Sequence, residues 1–254
     1  MKTRLLRLFV VVTLVAGNGN AVSAAEIKLL TAGAMRSVVV AMLPDFEKQT
    51  GNKVTFDNAT AGSLATRIGE GEAFDVALIT PAVIDDLASK GKIIAGSRTD
   101  VAKVGMGVAI KEGAAAPDIG TVDAFKRMLV GAKSVAYIDP KSGGSSGIYF
   151  DKLLDRLGIG DHVRPKAKLK WGGYVAELVA SGEAEIGVHQ ISEIVPVKGV
   201  VLVGPLPAEI QHATIYSAGI GTDSKDVAAA RALVEFLAGP APDAVLKQKG
   251  MERP

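Results

Sequence analysis

Short apolar segments alternate with helical patterns along most of the chain, and this alternation constrains its fold more than any other feature. Residues 27–30 predict a strand, and the helix predicted after it carries apolar residues at helical spacing. These residues are Met35, Val38, Met42 and Phe46. Further strands are predicted over 54–56 and 76–79, each followed by a helix, and a second series begins near Val104. Such alternation is typical of α/β proteins with largely parallel sheets.

Composition and the absence of linkers predict how this α/β chain is divided. Its 254 residues, 48% hydrophobic and 22% charged, are enough to bury one sizeable core or two modest ones. No Gly/Ser-rich linker or block of charge separates sequential domains. We therefore expect two lobes joined by strands, each a mostly parallel sheet flanked by helices. The first lobe is predicted to combine residues 25–104 with 218–254, and the second to comprise residues 105–217.

The first 24 residues have the three parts of a secretory signal peptide. Lys2, Arg4 and Arg7 precede an apolar run over 8–16, and small residues surround the expected cleavage site near Ala24. A membrane anchor would need about 20 apolar residues, whereas Gly and Asn interrupt this run directly after residue 16. The chain is therefore predicted to be exported, to the periplasm of a Gram-negative source. Cleavage removes three basic and no acidic residues, which takes the formal charge from +2 to −1.

Composition also excludes several classes of site and partner. The chain has no cysteine, so disulfides, thiolate nucleophiles and sulfur-ligated zinc are ruled out, and no lipid attachment point is expected. The histidines His162, His189 and His212 lie too far apart for a local metal motif, so neither a metal nor a cofactor is predicted. A near-neutral chain with 5% aromatic residues lacks the basic footprint of nucleic-acid binding. We expect a monomer that binds no nucleic acid.

Turns rich in Gly, Ala, Ser and Thr follow three predicted strands and lead directly into helices, over residues 31–34, 59–63 and 142–147. Ligands of α/β proteins bind beyond the carboxyl ends of parallel strands, and a helix N-terminus offers unpaired N–H donors to an anion. Small residues let a ligand approach that backbone. The same residue types also cap helices and form turns without binding anything. Their coincidence at three junctions favours a binding site for a small anion.

An enzymatic alternative comes from residues 143–147, which match the G-x-S-x-G pattern of a nucleophile elbow and would make Ser145 the nucleophile of a hydrolase. Against it, residues 139–142 separate this pattern from the preceding strand, so Ser145 is not placed at the strand tip. The acid and base that a hydrolase needs have candidates in Asp161, Glu193, His189 and His212.

A separate feature is the alternation of Lys166, Lys168 and Lys170, which indicates either a solvated face or a positive rim that draws anions to a cleft.

Six landmarks in order along the mature chain carry a resemblance to a known family. They are residues 31–35, 61–68, 71–76, 139–140 with 146–149, 182–188 and 236–240. In these segments the sequence resembles the periplasmic molybdate-binding receptors of ABC importers, which have the type II periplasmic binding protein fold. The resemblance implies two lobes with a hinge, a small anionic solute held between them, and an inner-membrane ABC permease as partner. It also implies a receptor rather than an enzyme.

Carried over position by position, the resemblance implies that the anion is held at Ala34, Ala61, Ser146, Gly172 and Gln190. Molybdate receptors typically have serines where the two alanines stand and a tyrosine where Gln190 stands. The departures indicate a roomier pocket and leave open a larger ligand with one anionic end, such as a carboxylate. Neighbouring residues complete the predicted site as possible replacement donors or flanking positions: Met35, Arg36, Thr60, Gly62, Ser63 and Ser145. A receptor that reports to a signalling partner is a further alternative.

Overall fold

A computed structural model describes residues 24–254, and all of the signal peptide prediction except Ala24 lies outside these residues. The strands are β1 (Glu26–Ala32), β2 (Lys53–Ala59), β3 (Val76–Ile79), β4 (Thr99–Val104), β5 (Met106–Lys111), β6 (Val135–Ile138), β7 (Ala167–Lys170), β8 (Ile186–Gln190), β9 (Val200–Pro205), β10 (Thr214–Ile220) and β11 (Met251–Glu252). The helices are α1 (Arg36–Thr50), α2 (Ala61–Gly69), α3 (Pro81–Ser89), α4 (Val122–Gly131), α5 (Ser145–Arg156), α6 (Gly160–Val163), α7 (Ala176–Ser181), α8 (Ile191–Ile194), α9 (Val227–Ala238) and α10 (Asp243–Gln248).

The strands form two sheets, as the two-lobed α/β prediction requires. One sheet has six strands in the order β11-β4-β10-β3-β1-β2, and the other has five in the order β7-β6-β8-β5-β9. Each sheet has its own apolar core, built around Phe46 and Leu64 in the first lobe and around Phe125, Tyr137 and Phe150 in the second. The described residues therefore bury one core in the first lobe and, in the second lobe, a main core with two smaller apolar clusters.

Both sheets are mixed, so the prediction of mostly parallel sheets is wrong. β1 is parallel to β2 and β3, and β6 is parallel to β7 and β8, but β10 is antiparallel to β3 and β4, and β5 is antiparallel to β8 and β9. The reason lies in the crossings between sheets. β4 leads into β5 across the single residue Gly105, whereas β10 brings the chain back. Neighbouring strands that carry the chain in opposite directions are necessarily antiparallel.

The predicted boundary between residues 217 and 218 falls inside β10. Thr214 to Ser217 all pair with β4 in the six-stranded sheet, so they lie with the first lobe rather than the second. The strand β4 itself was not predicted, because Asp100 and Lys103 interrupt its apolar pattern. The segment is a strand because it pairs with β10, and the local sequence carries no sign of this long-range pairing.

Local sequence accounts for several helix ends. Thr60 caps α2 by accepting a hydrogen bond from the Ser63 N–H, at 3.2 Å from its Oγ1 atom. The helix α9 is capped by Asp226, which accepts a hydrogen bond from the Ala229 N–H at 2.9 Å. In the described part of the chain, no helix has both the length and the apolar character needed to cross a membrane.

Candidate functional site

A cavity of about 30 Å³ lies between the two sheets and is lined from both of them. The first lobe contributes Ala32, Gly33, Ala34, Asn58, Ala59, Thr60, Ala61 and Tyr216. The second lobe contributes Ile138, Gly144, Ser145, Ser146, Gly172, Gly173, His189, Gln190 and Glu193. A volume of this size holds about two water molecules. A solute of several atoms is larger than this space, so the surrounding side chains or the lobes must rearrange to accommodate it.

All three turns predicted from small residues reach this cavity, because each follows the end of a strand that points toward the cleft. The helices α2 and α5 both begin at its wall, with Ala61 and Ser145 as their first residues. The first N–H groups of a helix have no intrahelical acceptor, and its N-terminus carries a partial positive charge. The cavity is therefore electrostatically suited to an anion, although no lysine or arginine lines it.

Three polar side chains form a network across the cavity. The Gln190 Nε2 atom donates to Ser145 Oγ at 3.1 Å, and the Tyr216 hydroxyl donates to Gln190 Oε1 at 2.7 Å. The hydroxyls of Ser145 and Tyr216 lie 3.4 Å apart. Burial raises the pKa of Tyr216 well above its ordinary value, so the phenol stays neutral and keeps its proton for hydrogen bonding. Because Tyr216 lies on β10 of the first lobe, this network also joins the two lobes.

Tyr216 was missed at the sequence level. It lies within the apolar segment 215–220, which predicts a strand but gives no sign that one residue of that strand faces the cleft. A tyrosine hydroxyl is therefore present beside Gln190, the position at which the resemblance described above implies a tyrosine in the molybdate receptors. It is supplied by a different strand.

A buried acid and a buried imidazole form a second polar group at the cavity. The Nε2 atom of His189, at the end of β8, lies 3.2 Å from Oε2 of Glu193 in α8. Burial lowers the pKa of His189 to about 3, with a smaller contribution from the positive charge of Lys170, and burial raises the pKa of Glu193 to about 8. Both groups are therefore neutral near pH 7. Among residues 24–254 no hydrogen-bond partner faces His189 Nδ1, which is itself buried.

Gly33 makes room for the Glu193 carboxyl group. A Cβ atom at position 33 would lie 2.6 Å from Glu193 Oε1, closer than any non-bonded contact of this kind allows. The strand β1 ends at Ala32, so Gly33 begins the tight turn that precedes α1. The absence of a side chain at Gly33 therefore leaves space for the Glu193 carboxyl group of the second lobe, and it also lets the first lobe's chain turn tightly after β1.

The lobes also touch beside the cavity, at two glycines. The Gly62 N–H donates to the Gly143 carbonyl oxygen at 3.1 Å, and the Thr60 hydroxyl donates to the carbonyl oxygen of Ser142. Gly143 has a φ of +73°, in the left-handed region that favours glycine. In a further contact between the lobes, the guanidinium of Arg36 lies 5.6 Å from the ring centre of Tyr174. These contacts hold the two sheets close together.

The structure separates the predicted site residues into two groups. Seven of them line the cavity: Ala34, Thr60, Ala61, Ser145, Ser146, Gly172 and Gln190. The other four lie outside its wall. Met35 is buried in the first lobe's core, Arg36 is exposed against Tyr174, and Gly62 and Ser63 face the backbone around Ser142. Their positions follow from the helical turn, which directs residues next to a lining position away from it.

The three alternating lysines do not line the cavity. Lys166 donates to the carbonyl oxygens of Val130 and Ala132, and Lys170 donates to Tyr174 O and pairs with Glu177. Nor do the described residues contain a cluster of three or more His, Cys, Asp or Glu side chains that could hold a metal ion.

The surroundings of Ser145 give no support to the hydrolase alternative. Its hydroxyl contacts Gln190 and Tyr216, neither of which is a general base. His189 is paired with Glu193, and His212 stacks on the Tyr149 ring with 4.4 Å between ring centres.

Comparisons with known proteins agree with this architecture. Residues 27–252 match the profile of the bacterial extracellular solute-binding protein family. The chain is 32% identical to an aconitate isomerase from a Pseudomonas species, over 88% of this chain and 86% of that protein. It is 29% identical to the molybdate-binding protein ModA of Azotobacter vinelandii, over 91% of each chain. The solved structure of the Azotobacter vinelandii periplasmic molybdate-binding protein superposes with a TM-score of 0.75 at 21% identity, covering 90% of this chain and 99% of that one. The chain therefore belongs to the bacterial extracellular solute-binding protein family and has the two-lobed α/β fold of the periplasmic binding proteins.

Proposed function

We propose that this protein binds a small carboxylate anion in the cavity between its sheets and delivers it to an inner-membrane ABC permease. The observation that carries the proposal is the cavity itself. Both lobes line it, the helices α2 and α5 begin at it, and the neutral polar side chains of Ser145, Gln190 and Tyr216 converge on it. A ligand that contacts both lobes favours their close approach, which is how a receptor of this kind signals occupancy to a membrane partner.

The donor set supports a carboxylate over a tetrahedral oxyanion such as molybdate. Ala34 and Ala61 carry no side-chain donor, and the Thr60 hydroxyl already donates to Ser142. A proton-free oxyanion needs donors on every side, whereas a carboxylate needs them at one end and sets its carbon chain against apolar groups. Ala32, Ala34, Ala61 and Ile138 provide such groups. The 32% identity to an aconitate isomerase, whose named substrate is a carboxylate, also supports this ligand class.

Calorimetry on the mature protein tests the ligand class, with cis- and trans-aconitate, molybdate and sulfate as titrants. We expect a carboxylate to bind more tightly than molybdate. We also expect the double variant Ala34→Ser with Ala61→Ser to strengthen molybdate binding about tenfold or more, because each hydrogen bond to a charged group contributes about 1.5–3 kcal/mol. Ala65→Ser, in the same helix α2 but outside the cavity, is the matched control and should change nothing. Tight molybdate binding without carboxylate binding would overturn the proposal.

Export is part of the same proposal. We expect cleavage near Ala24, and release of a monomer into the periplasm. The intact mass of protein recovered from its native compartment should correspond to a chain that begins near Ala25. Recovery of the uncleaved chain from the membrane fraction would contradict this expectation.

A second candidate function rests on two specific observations. Family membership supports binding as the main role, but the aconitate isomerase relative and the buried pair of His189 and Glu193 favour proton-transfer chemistry on the bound carboxylate. The two functions share one site and do not exclude each other.

A further inference from the structure

We propose that His189 and Glu193 are a proton-transfer pair that moves an allylic proton of an unsaturated carboxylate bound in the cavity. This inference rests on the carboxylate site proposed above and assigns its chemistry to two residues. The substrate class is an α,β-unsaturated carboxylate with a CH₂ group on the other side of the double bond, itself bearing a second carboxylate.

Geometry is the first support. Both side chains line the cavity, and both are more than nine-tenths buried, with 1% and 6% of their surface exposed for His189 and Glu193. Their Nε2 and Oε2 atoms are 3.2 Å apart, close enough to pass a proton once hydrogen-bonded. Gln190 follows His189 directly in the chain, so the pair adjoins the network that would hold the carboxylate.

The pair is poorly explained by a structural role. Burying an imidazole and a carboxyl group is costly unless their polar atoms are hydrogen-bonded, and apolar side chains of similar size would fill the space at lower cost. His189 Nδ1 has no hydrogen-bond partner in the described chain. An unpartnered buried nitrogen at the wall of a ligand cavity indicates that the ligand completes its surroundings.

The surrounding charges suit proton transfer rather than ion-pair formation. Burial holds both groups neutral near pH 7, so His189 is a free base and Glu193 retains an acidic proton. Lys170 is the charged residue that acts on His189, while Tyr174 and Tyr216 lie within electrostatic reach of Glu193. A bound polyanion raises the proton affinity of both members of the pair, which strengthens His189 as a base.

The reaction balances without a cofactor or an oxidant. His189 removes a proton from the CH₂ carbon, and the electron pair spreads over three carbons and the attached carboxylates. Glu193 gives its proton to the former alkene carbon at the far end, so the double bond moves by one position. The abstracted proton is held at Nδ1 of His189, and transfer of the Nε2 proton to Glu193 makes both groups neutral again. Proton exchange with solvent then returns the imidazole to its starting tautomer. The N–H groups at the start of α5 lie at the cavity wall, where they can stabilise the negative charge of the intermediate.

The test follows cis- and trans-aconitate by proton NMR in D₂O with the mature protein, with calorimetry on the same samples. We expect interconversion of the two isomers with uptake of solvent deuterium at the allylic carbon. Glu193→Gln and His189→Gln should each slow interconversion about 100-fold or more, the usual contribution of a general acid or base. Aconitate affinity should change by less than tenfold in both variants. Glu209→Gln, at an exposed glutamate of the second lobe, is the control and should be unaffected.

A second variant guards against a folding defect. Gly33→Ala leaves both groups chemically intact but displaces the Glu193 carboxyl group, so it should slow interconversion while the protein still binds aconitate. Aconitate binding without interconversion, or interconversion that survives Glu193→Gln and His189→Gln, would overturn the assignment and leave the receptor proposal standing. Absence of binding of either isomer would overturn the carboxylate site itself, and this inference with it.

Discussion

Gly62→Ala is expected to weaken ligand binding about 30- to 100-fold and to leave the ligand-free protein as stable as before or slightly more stable. A Cβ atom at position 62 would lie 2.6 Å from the Gly143 Cα atom and 3.2 Å from the carbonyl oxygens of Ser142 and Gly143. These are backbone atoms, so the clash is relieved only if the lobes stay apart. A loss of about 2–3 kcal/mol of closing free energy gives the stated change in affinity.

The two expected effects of Gly62→Ala have opposite signs, which makes the result specific. Alanine in place of glycine favours a helix by up to about 1 kcal/mol, because the unfolded chain loses less freedom on folding. In the alanine variant the helix α2 is therefore more stable, while the closed arrangement of the two lobes is less favourable and the ligand binds more weakly. Calorimetry gives the affinity, and thermal melting with and without ligand gives the stability of each form.

Gly69→Ala is the matched control for this experiment. Gly69 is the last residue of α2, and a Cβ atom there would meet nothing within 4 Å. We expect unchanged affinity. Equal affinity in the Gly62 and Gly69 variants would show that the lobes do not close through the glycine contact.

The fold could be predicted where local periodicity determines structure. The alternation of strands with helices located β1, β2 and β3 and the helices between them, because their apolar residues repeat locally. Strand direction could not be predicted in the same way. It depends on β4 and β10, which carry the chain between sheets and pair with each other across more than 100 residues of sequence. No local pattern encodes such a pairing.

The candidate site was predicted best where it is built from backbone. Small residues after strands located the three turns, since only such residues let two lobes and a ligand meet at their main chains. Side chains that reach the cleft from apolar surroundings were harder to find. Tyr216 lies within an apolar strand, so its sequence neighbours give no sign that it faces the cleft. Glu193 and His189 could be identified from the sequence only as candidates for the acid and base of a hydrolase. Their pairing depends on the four-residue spacing from the end of β8 into α8.

Glu193→Gln is expected to make the folded protein progressively more stable than the wild type as pH rises from 5 to 9. Burial raises the pKa of Glu193 to about 8 from an ordinary value of 4.5. Between these two pH values the folded state holds a proton that the unfolded state has released. The free energy of unfolding of the wild type therefore falls as pH rises through this range and levels off above pH 8. Glutamine does not titrate, so position 193 causes no such fall in the free energy of unfolding of the Glu193→Gln variant.

The difference in the free energy of unfolding between Glu193→Gln and the wild type is expected to increase by on the order of 3 kcal/mol between pH 5 and pH 9. His189 contributes with the opposite slope, because its pKa is lowered to about 3 and its stability loss occurs as pH falls below about 6.5. The effect of His189 on the free energy of unfolding no longer changes above about pH 7. The increase in the difference between the two proteins from pH 7 to pH 9 therefore comes from position 193. Urea denaturation of the wild type, Glu193→Gln and the exposed control Glu209→Gln at pH 5, 7 and 9 measures it. A difference between wild type and Glu193→Gln that stays constant across this range would mean that the Glu193 carboxyl group is ionised in the folded protein, and the neutral pair at the cavity would have to be abandoned.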